Sequence, residues 1–226
     1  MNTETNFDLL DKISEKNNLS EKDLEILIEL SKNEDEEIRS YVAELLVLSD
    51  EDSAKKTLIQ LCSDTDELVR VNACDSLFVF AEFDVYKILY TVSVKDESEL
   101  VKSYALLSII DIMAKIDIDK NQLEELFSSN LNSDIAILKI TSCKGLYLLG
   151  FTEYLNKLID FLNAEDYQDR CFALNTLPDI VNADNYNQII STLVELKRIE
   201  KTEAVLSTLE NIVNDIEEIK TENFKK

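Results

Sequence analysis

Apolar residues recur at helical spacing along most of the chain. The run Ile38-Arg39-Ser40-Tyr41-Val42-Ala43-Glu44-Leu45-Leu46 sets the pattern. On a helix of 3.6 residues per turn its Ile38, Val42, Leu45 and Leu46 form one stripe, with polar side chains opposite. Ungapped copies begin at Val69, Val101, Leu138 and Asp169, and a degenerate sixth begins at Lys201. Each has a basic residue in second place: Arg39, Arg70, Lys102, Lys139 and Arg170, replaced by Thr202 in the last. These positions step by 31, 32, 37, 31 and 32 residues, so the second three copies follow the first three at an offset of 100. A small residue recurs at Ala43, Ala73, Ala105, Ser142 and Ala173, which lets neighbouring helices approach closely.

Between these segments the pattern predicts shorter amphipathic helices over 21–32, 53–62, 84–92, 121–130, 153–162 and 185–198. Ser20 with Asp23 marks one helix start, and Asp184 before Asn185 another. Helix pairs at a fixed period of about thirty residues are the signature of a solenoid. The expectation is an all-α, right-handed α-solenoid of about six helical hairpins, as a single domain over 1–226. Residues 1–19 would hold a capping helix, 20–212 the repeats and 213–226 a polar C-terminal tail. The longer step is absorbed near residues 115–120, where a bend is expected. Pro178 lies inside a predicted helix and should kink it or end it early.

Composition agrees with helices. Two glycines and one proline in 226 residues leave little material for the turns of a sheet protein. The net charge of −23 changes the picture of partners. Such a chain repels phosphate backbones and anionic membranes, so neither nucleic acid nor membrane is expected as a partner. A basic protein is favoured, while the same acidity also serves solubility. Cys62, Cys74, Cys143 and Cys171 show no metal or redox spacing, and each sits in an apolar context. They read as reduced core thiols in a cytoplasmic setting. The polar N-terminus lacks the pattern of a signal peptide, and no apolar run reaches the length of a membrane span.

The repeat resembles HEAT repeats, in particular the short HEAT-like repeats of the bilin-lyase type, over about residues 20–212. In that family an Asp lies six residues before the basic position, and the two form a ladder between neighbouring repeats. Asp64 and Asp96 fit; Asn33 and Ser133 are polar replacements; Ala164 and Leu196 depart. The resemblance therefore implies ladder roles for Arg39, Asp64, Arg70, Asp96 and Lys102; the second half departs from the pattern. Gly150 is similar to the family's helix-closing glycine.

Candidate chemistry is sparse. The chain has no histidine, so Ser-His-Asp, Cys-His and histidine–metal arrangements are excluded. Its glycines, Gly145 and Gly150, form no phosphate loop. No catalytic residue, metal site or cofactor is expected. A glycosylase-type solenoid would need a basic concave surface, which the charge opposes.

If the second helix of each pair faces inward, as in HEAT-like arrays, Phe78, Leu107, Ile110, Ile140 and Tyr147 fall on a solvated face, with Tyr41, Tyr104 and Phe172 beside them. Glu44, Asp75, Asp111 and Asp179 rim this apolar patch. Such a surface suits a protein partner. A helix phase one residue different would instead pack these aromatics into the core. The functional expectation is a monomeric binding module whose acidic concave face holds one basic partner, with an immunity protein against a basic toxin as its specific form. A general scaffold and a lyase- or glycosylase-type enzyme are the alternatives.

Overall fold

The computed structural model describes the backbone of residues 3–223 and the side chains of residues 6–222. Among the described residues there are helices and turns and no strand. They group into two compact units divided between Ile118 and Asp119, within the stretch where the repeat step lengthens. Unit 1 holds α1 (Thr3–Ser14), α2 (Glu21–Leu30), α3 (Glu36–Leu45), α4 (Asp52–Leu61), α5 (Glu67–Ser76), α6 (Phe83–Lys95) and α7 (Glu99–Met113). Unit 2 holds α8 (Lys120–Asn130), α9 (Ala136–Leu148), α10 (Tyr154–Asp160), α11 (Tyr167–Ile180), α12 (Tyr186–Ile199) and α13 (Glu203–Asn223).

Acidic residues at the loop ends cap several of these helices. Ser20 and Asp23 form a reciprocal capping box on α2. The Asp35 and Asp66 side chains accept from the first-turn amides of α3 and α5, and Asp119 and Asp166 do the same for α8 and α11. Each such cap contributes about 1 kcal/mol, and the carboxylates also meet the positive end of the helix dipole. Part of the chain's acid is thus local helix chemistry.

Burial follows the stripe. Ile38, Val42 and Leu46 are wholly buried and Leu45 nearly so. All five small positions, Ala43, Ala73, Ala105, Ser142 and Ala173, have no exposure. They lie where the second helices pack side by side: α3 on α5 and α5 on α7 in unit 1, α9 on α11 and α11 on α13 in unit 2. Polar stitches cross the same seams. Asn72 donates to the Ser40 hydroxyl at 3.0 Å, and Ser108 donates to the Cys74 carbonyl at 2.7 Å.

Two glycines have distinct duties. Gly150 takes φ +100. The amides of Gly150 and Phe151 then close α9 onto the carbonyls of Tyr147 (2.9 Å) and Leu146 (3.1 Å), a Schellman motif. Gly145 lies against Phe127 of α8, where an added Cβ would meet the ring at 2.6 Å.

Pro178 lies inside α11, which ends two residues later at Ile180. Residues 213–223 are not a separate tail. They continue α13, because Ile212 and Ile216 extend its buried stripe; residues 224–226 of the expected tail lie outside the described residues. Within residues 1–19, where a capping helix is expected, α1 covers Thr3–Ser14.

Candidate functional site

The ladder comes first because it fixes how neighbouring repeats register. Arg39 donates through Nε and Nη2 to the Asp64 carboxylate, both at 2.8 Å, while its Nη1 reaches the carbonyls of Asn33 and Glu34. Arg70 repeats this on Asp96 at 2.9 and 3.0 Å, with Nη1 on Asp64 and Thr65 carbonyls. Each guanidinium thus ties its own loop to the loop of the next pair. Asp64 and Asp96 also accept from the amides two residues on, at 2.9 and 2.8 Å, which fixes their turns. The Arg39 guanidinium is the main influence that holds the Asp64 carboxyl below its usual range. Lys102, assigned to the ladder by resemblance, does not join it. Its ammonium pairs at 2.8 Å with Glu99 one turn back in α7, since a lysine lacks the planar fork that grips carboxylate and carbonyls together.

A third rung stands in unit 2, where the sequence departs from the motif. Arg170 grips Glu200 at 2.8 and 3.3 Å and reaches the carbonyls of Ala164 and Glu165. Burial alone would raise the Glu200 carboxyl. The Thr202 amide, Arg170 and the Lys201 amide outweigh it and bring Glu200 down to about 2. This acid lies two residues before Thr202 rather than six, so the motif spacing hides it.

On unit 1 the structure brings most of the expected face together. Glu44 of α3, Asp75 of α5 and Asp111 of α7 are exposed on three helices that pack in sequence. Asp75 is surrounded by enough protein to lose hydration, which raises its pKa; the charges of Asp111 and then Glu44 raise it further. Tyr104 is half-buried, and its phenol is pushed up by burial and by the Asp75 charge. Phe78 and Leu107 are half-buried too, and Lys115 lies over the Phe78 ring at 6.0 Å. Tyr41 turns toward the N-terminal helix, donating to Asp11 at 3.0 Å.

Ile110 is a correction: it is 4% exposed and belongs to the core of unit 1. The reason is helix pitch. After α3 and α5 the chain tightens into three-residue 3₁₀ turns, Leu46–Leu48 and Leu77–Val79. There each residue advances further around the axis, which keeps Phe78 nearly above Asp75. By contrast α7 stays α-helical to Met113, so Ile110, three residues past Leu107, rotates inward. Ile140 is likewise buried, with no exposure.

Unit 2 treats the corresponding positions differently. Lys144 stands 100 residues after Glu44, and its stem is buried while its ammonium pairs with Asp179 at 2.6 Å. The Tyr147 hydroxyl accepts from Asn182 at 3.0 Å and from Asn185 at 2.8 Å. Tyr147 and Phe172 pack against the core of this unit. Asp179 and Tyr147 are engaged within unit 2; in unit 1 the charges of Asp111 and Glu44 bear on Asp75, and the charge of Asp75 bears on Tyr104. Among the described residues no three Cys, Asp or Glu side chains converge as a metal site, and no helix is long and apolar enough to cross a membrane.

The family model for HEAT repeats matches residues 24–110. No curated protein matches the sequence. Among solved structures, the complex of CpcE and CpcF of phycocyanin lyase from Nostoc sp. PCC7120 superposes with a TM-score of 0.61. The identity is 16%, over 87% of this chain and 83% of that one. The E. coli protein YibA gives a TM-score of 0.56 at 18% identity, over 100% of this chain and 81% of its own. At these identities the likeness is one of fold. Residues 24–110 thus match HEAT repeats, and the chain as a whole shares an all-helical repeat fold with these structures.

Proposed function

We propose that this chain is a protein-binding module whose unit 1 face, formed by Glu44, Asp75, Tyr104, Leu107 and Asp111, takes a basic segment of a partner protein. The observation that carries this reading is the electrostatic state of Asp75. Capping and ladder carboxylates elsewhere are stabilised by donors, yet Asp75 is held above its usual range by lost hydration and by two further acids. A cationic partner side chain would relieve that repulsion, and Tyr104 and Leu107 would supply the desolvated contact area that anchors interfaces. The specific form we favour is an inhibitor of a basic toxin or nuclease, acting as a monomer in the cytoplasm. Its acid would mimic the charge of the substrate that the partner grips.

Affinity capture from the native cell tests this. The full chain is compared with a Glu44→Ala/Asp75→Ala/Tyr104→Ala variant and with a Lys144→Met variant as control. A basic protein retained by the wild type and the control, released by rising salt and lost from the triple variant, is the expected result. Retention by all three baits, or a captured protein with an acidic contact surface, contradicts it.

A further inference from the structure

Cys62 and Cys74 are twelve residues apart in sequence, and the fold places them in contact. The Cys74 thiol donates to the Cys62 sulfur across 3.8 Å. Cys62 closes the C-terminal end of α4 and is 4% exposed, whereas Cys74 lies within α5 with no exposure. Both are free thiols. Two sulfurs at this distance already face one another. A disulfide, at about 2.05 Å, needs these two sulfurs to close the remaining gap.

We propose that Cys62 and Cys74 are a dithiol that a hydroperoxide oxidises to an intramolecular disulfide, cross-linking α4 to α5. Cys62 reacts first, being the one with exposed surface. Its thiolate sulfur attacks the peroxide O–O bond, takes one oxygen as a sulfenic acid and releases the other as water. The Cys74 sulfur then attacks the Cys62 sulfur. The S–S bond forms, the S–O bond breaks, and the Cys74 proton leaves with the hydroxide as a second water. Two thiols are oxidised and one hydrogen peroxide is reduced to two waters. The order fits the chemistry of the pair, because the hydrogen bond to Cys62 and then burial keep the Cys74 thiol well above its usual range. Cys74 therefore suits the resolving role, in which it acts only once Cys62 has become electrophilic.

Cys74 precedes Asp75, and its carbonyl accepts from Ser108 of α7. Closing the disulfide thus acts on the backbone that positions the face described above. The inference does not depend on that face, since its readout is covalent.

The reduced full chain is treated with a small excess of hydrogen peroxide, then quenched, denatured, alkylated and weighed. Alkylatable thiols are expected to fall from the four of the reduced chain to two, with a mass loss of about 2 Da for the two hydrogens removed on forming the bond. Trypsin, cutting after Arg70, should release residues 57–70 and 71–87 as one disulfide-linked species that dithiothreitol separates. In a Cys74→Ser variant the cross-link should vanish and Cys62 should be trapped by a sulfenic-acid reagent. Four thiols still alkylatable would overturn the proposal. So would oxygen retained on Cys62 in the wild type, or a linkage through Cys143, Cys171 or a second chain.

Discussion

The two units use one repeat pattern and treat its charged positions in opposite ways. On unit 1, Glu44, Asp75 and Asp111 bring negative charges toward one another across three packed helices. On unit 2 a lysine replaces the glutamate at the 100-residue offset, and Lys144 takes Asp179 as its partner at 2.6 Å. Tyr147 is held by two asparagines, whereas the phenol of Tyr104 is raised by its surroundings. The difference teaches that the repeat scaffold sets where side chains stand and leaves open what they do. A cation at that position turns the face into internal structure. An anion there adds to the charge that raises Asp75, a cost that the proposed basic partner would relieve.

The ladder gives the largest expected effect and checks that both units rest on the same scaffold. Removing Arg70 by Arg70→Ala leaves the buried Asp96 carboxylate without its partner and should cost about 3–5 kcal/mol, read from the denaturant midpoint. Arg170→Ala should behave alike in unit 2, with Glu200 left in place of Asp96. A loss below about 1 kcal/mol for both, the range of exposed pairs, would mean that the ladder is decoration.

Next comes Gly145→Ala, which should cost about 1–3 kcal/mol as the Phe127 ring is forced from its seat. Gly145→Ala with Phe127→Leu should recover part of the loss. No recovery would point to helix strain rather than to the ring.

The third prediction has opposite signs in two places. Folding lowers Glu200 from 4.5 to about 2 and Asp23 from 3.8 to about 2. Their stabilisation is full above the unfolded values and is lost as the pH falls toward about 2. Asp75 is raised by folding, so its charged form costs stability, and protonation in mild acid removes that cost. Glu200→Gln should therefore flatten the acid limb of the stability profile, and Asp75→Asn should remove a stabilising inflection above it. Identical profiles for the two variants would break the comparison.

The smallest effect is the most specific. At neutral pH Asp75→Asn should raise stability by a few tenths of a kcal/mol, the scale of an exposed charge interaction, while Asp179→Asn lowers it by a similar amount through the loss of the Lys144 pair. Equal signs for the two would contradict the contrast between the units.

Much of this was legible in the sequence. The stripe Ile38, Val42, Leu45, Leu46 and the small residues Ala43, Ala73, Ala105, Ser142 and Ala173 follow from periodicity, because burial of one face is what a period of 3.6 encodes. The rungs on Asp64 and Asp96 follow from a fixed spacing. What escaped depends on geometry that spacing does not carry. Glu200 reaches Arg170 from a different loop position. Ile110 turns inward because α7 lacks the 3₁₀ turn that follows α5. Cys62 meets Cys74 because the two helices of one pair fold back on each other. The acidic face was readable as a list of residues, yet its division between the units was not, since that rests on Lys144 being near enough to Asp179 to neutralise it.

The central claim is that the acid of unit 1 is held ready for a cation. Its most direct test is an NMR titration of the full chain with a lysine-rich peptide, followed at backbone amides and tyrosine rings. The account predicts saturable shifts concentrated at Glu44, Asp75, Tyr104 and Asp111, abolished by Asp75→Asn with Glu44→Gln and weakened by salt. Shifts spread evenly over the acidic surface, or strongest along the 34–37 run and the neighbourhood of Asp179, would contradict it.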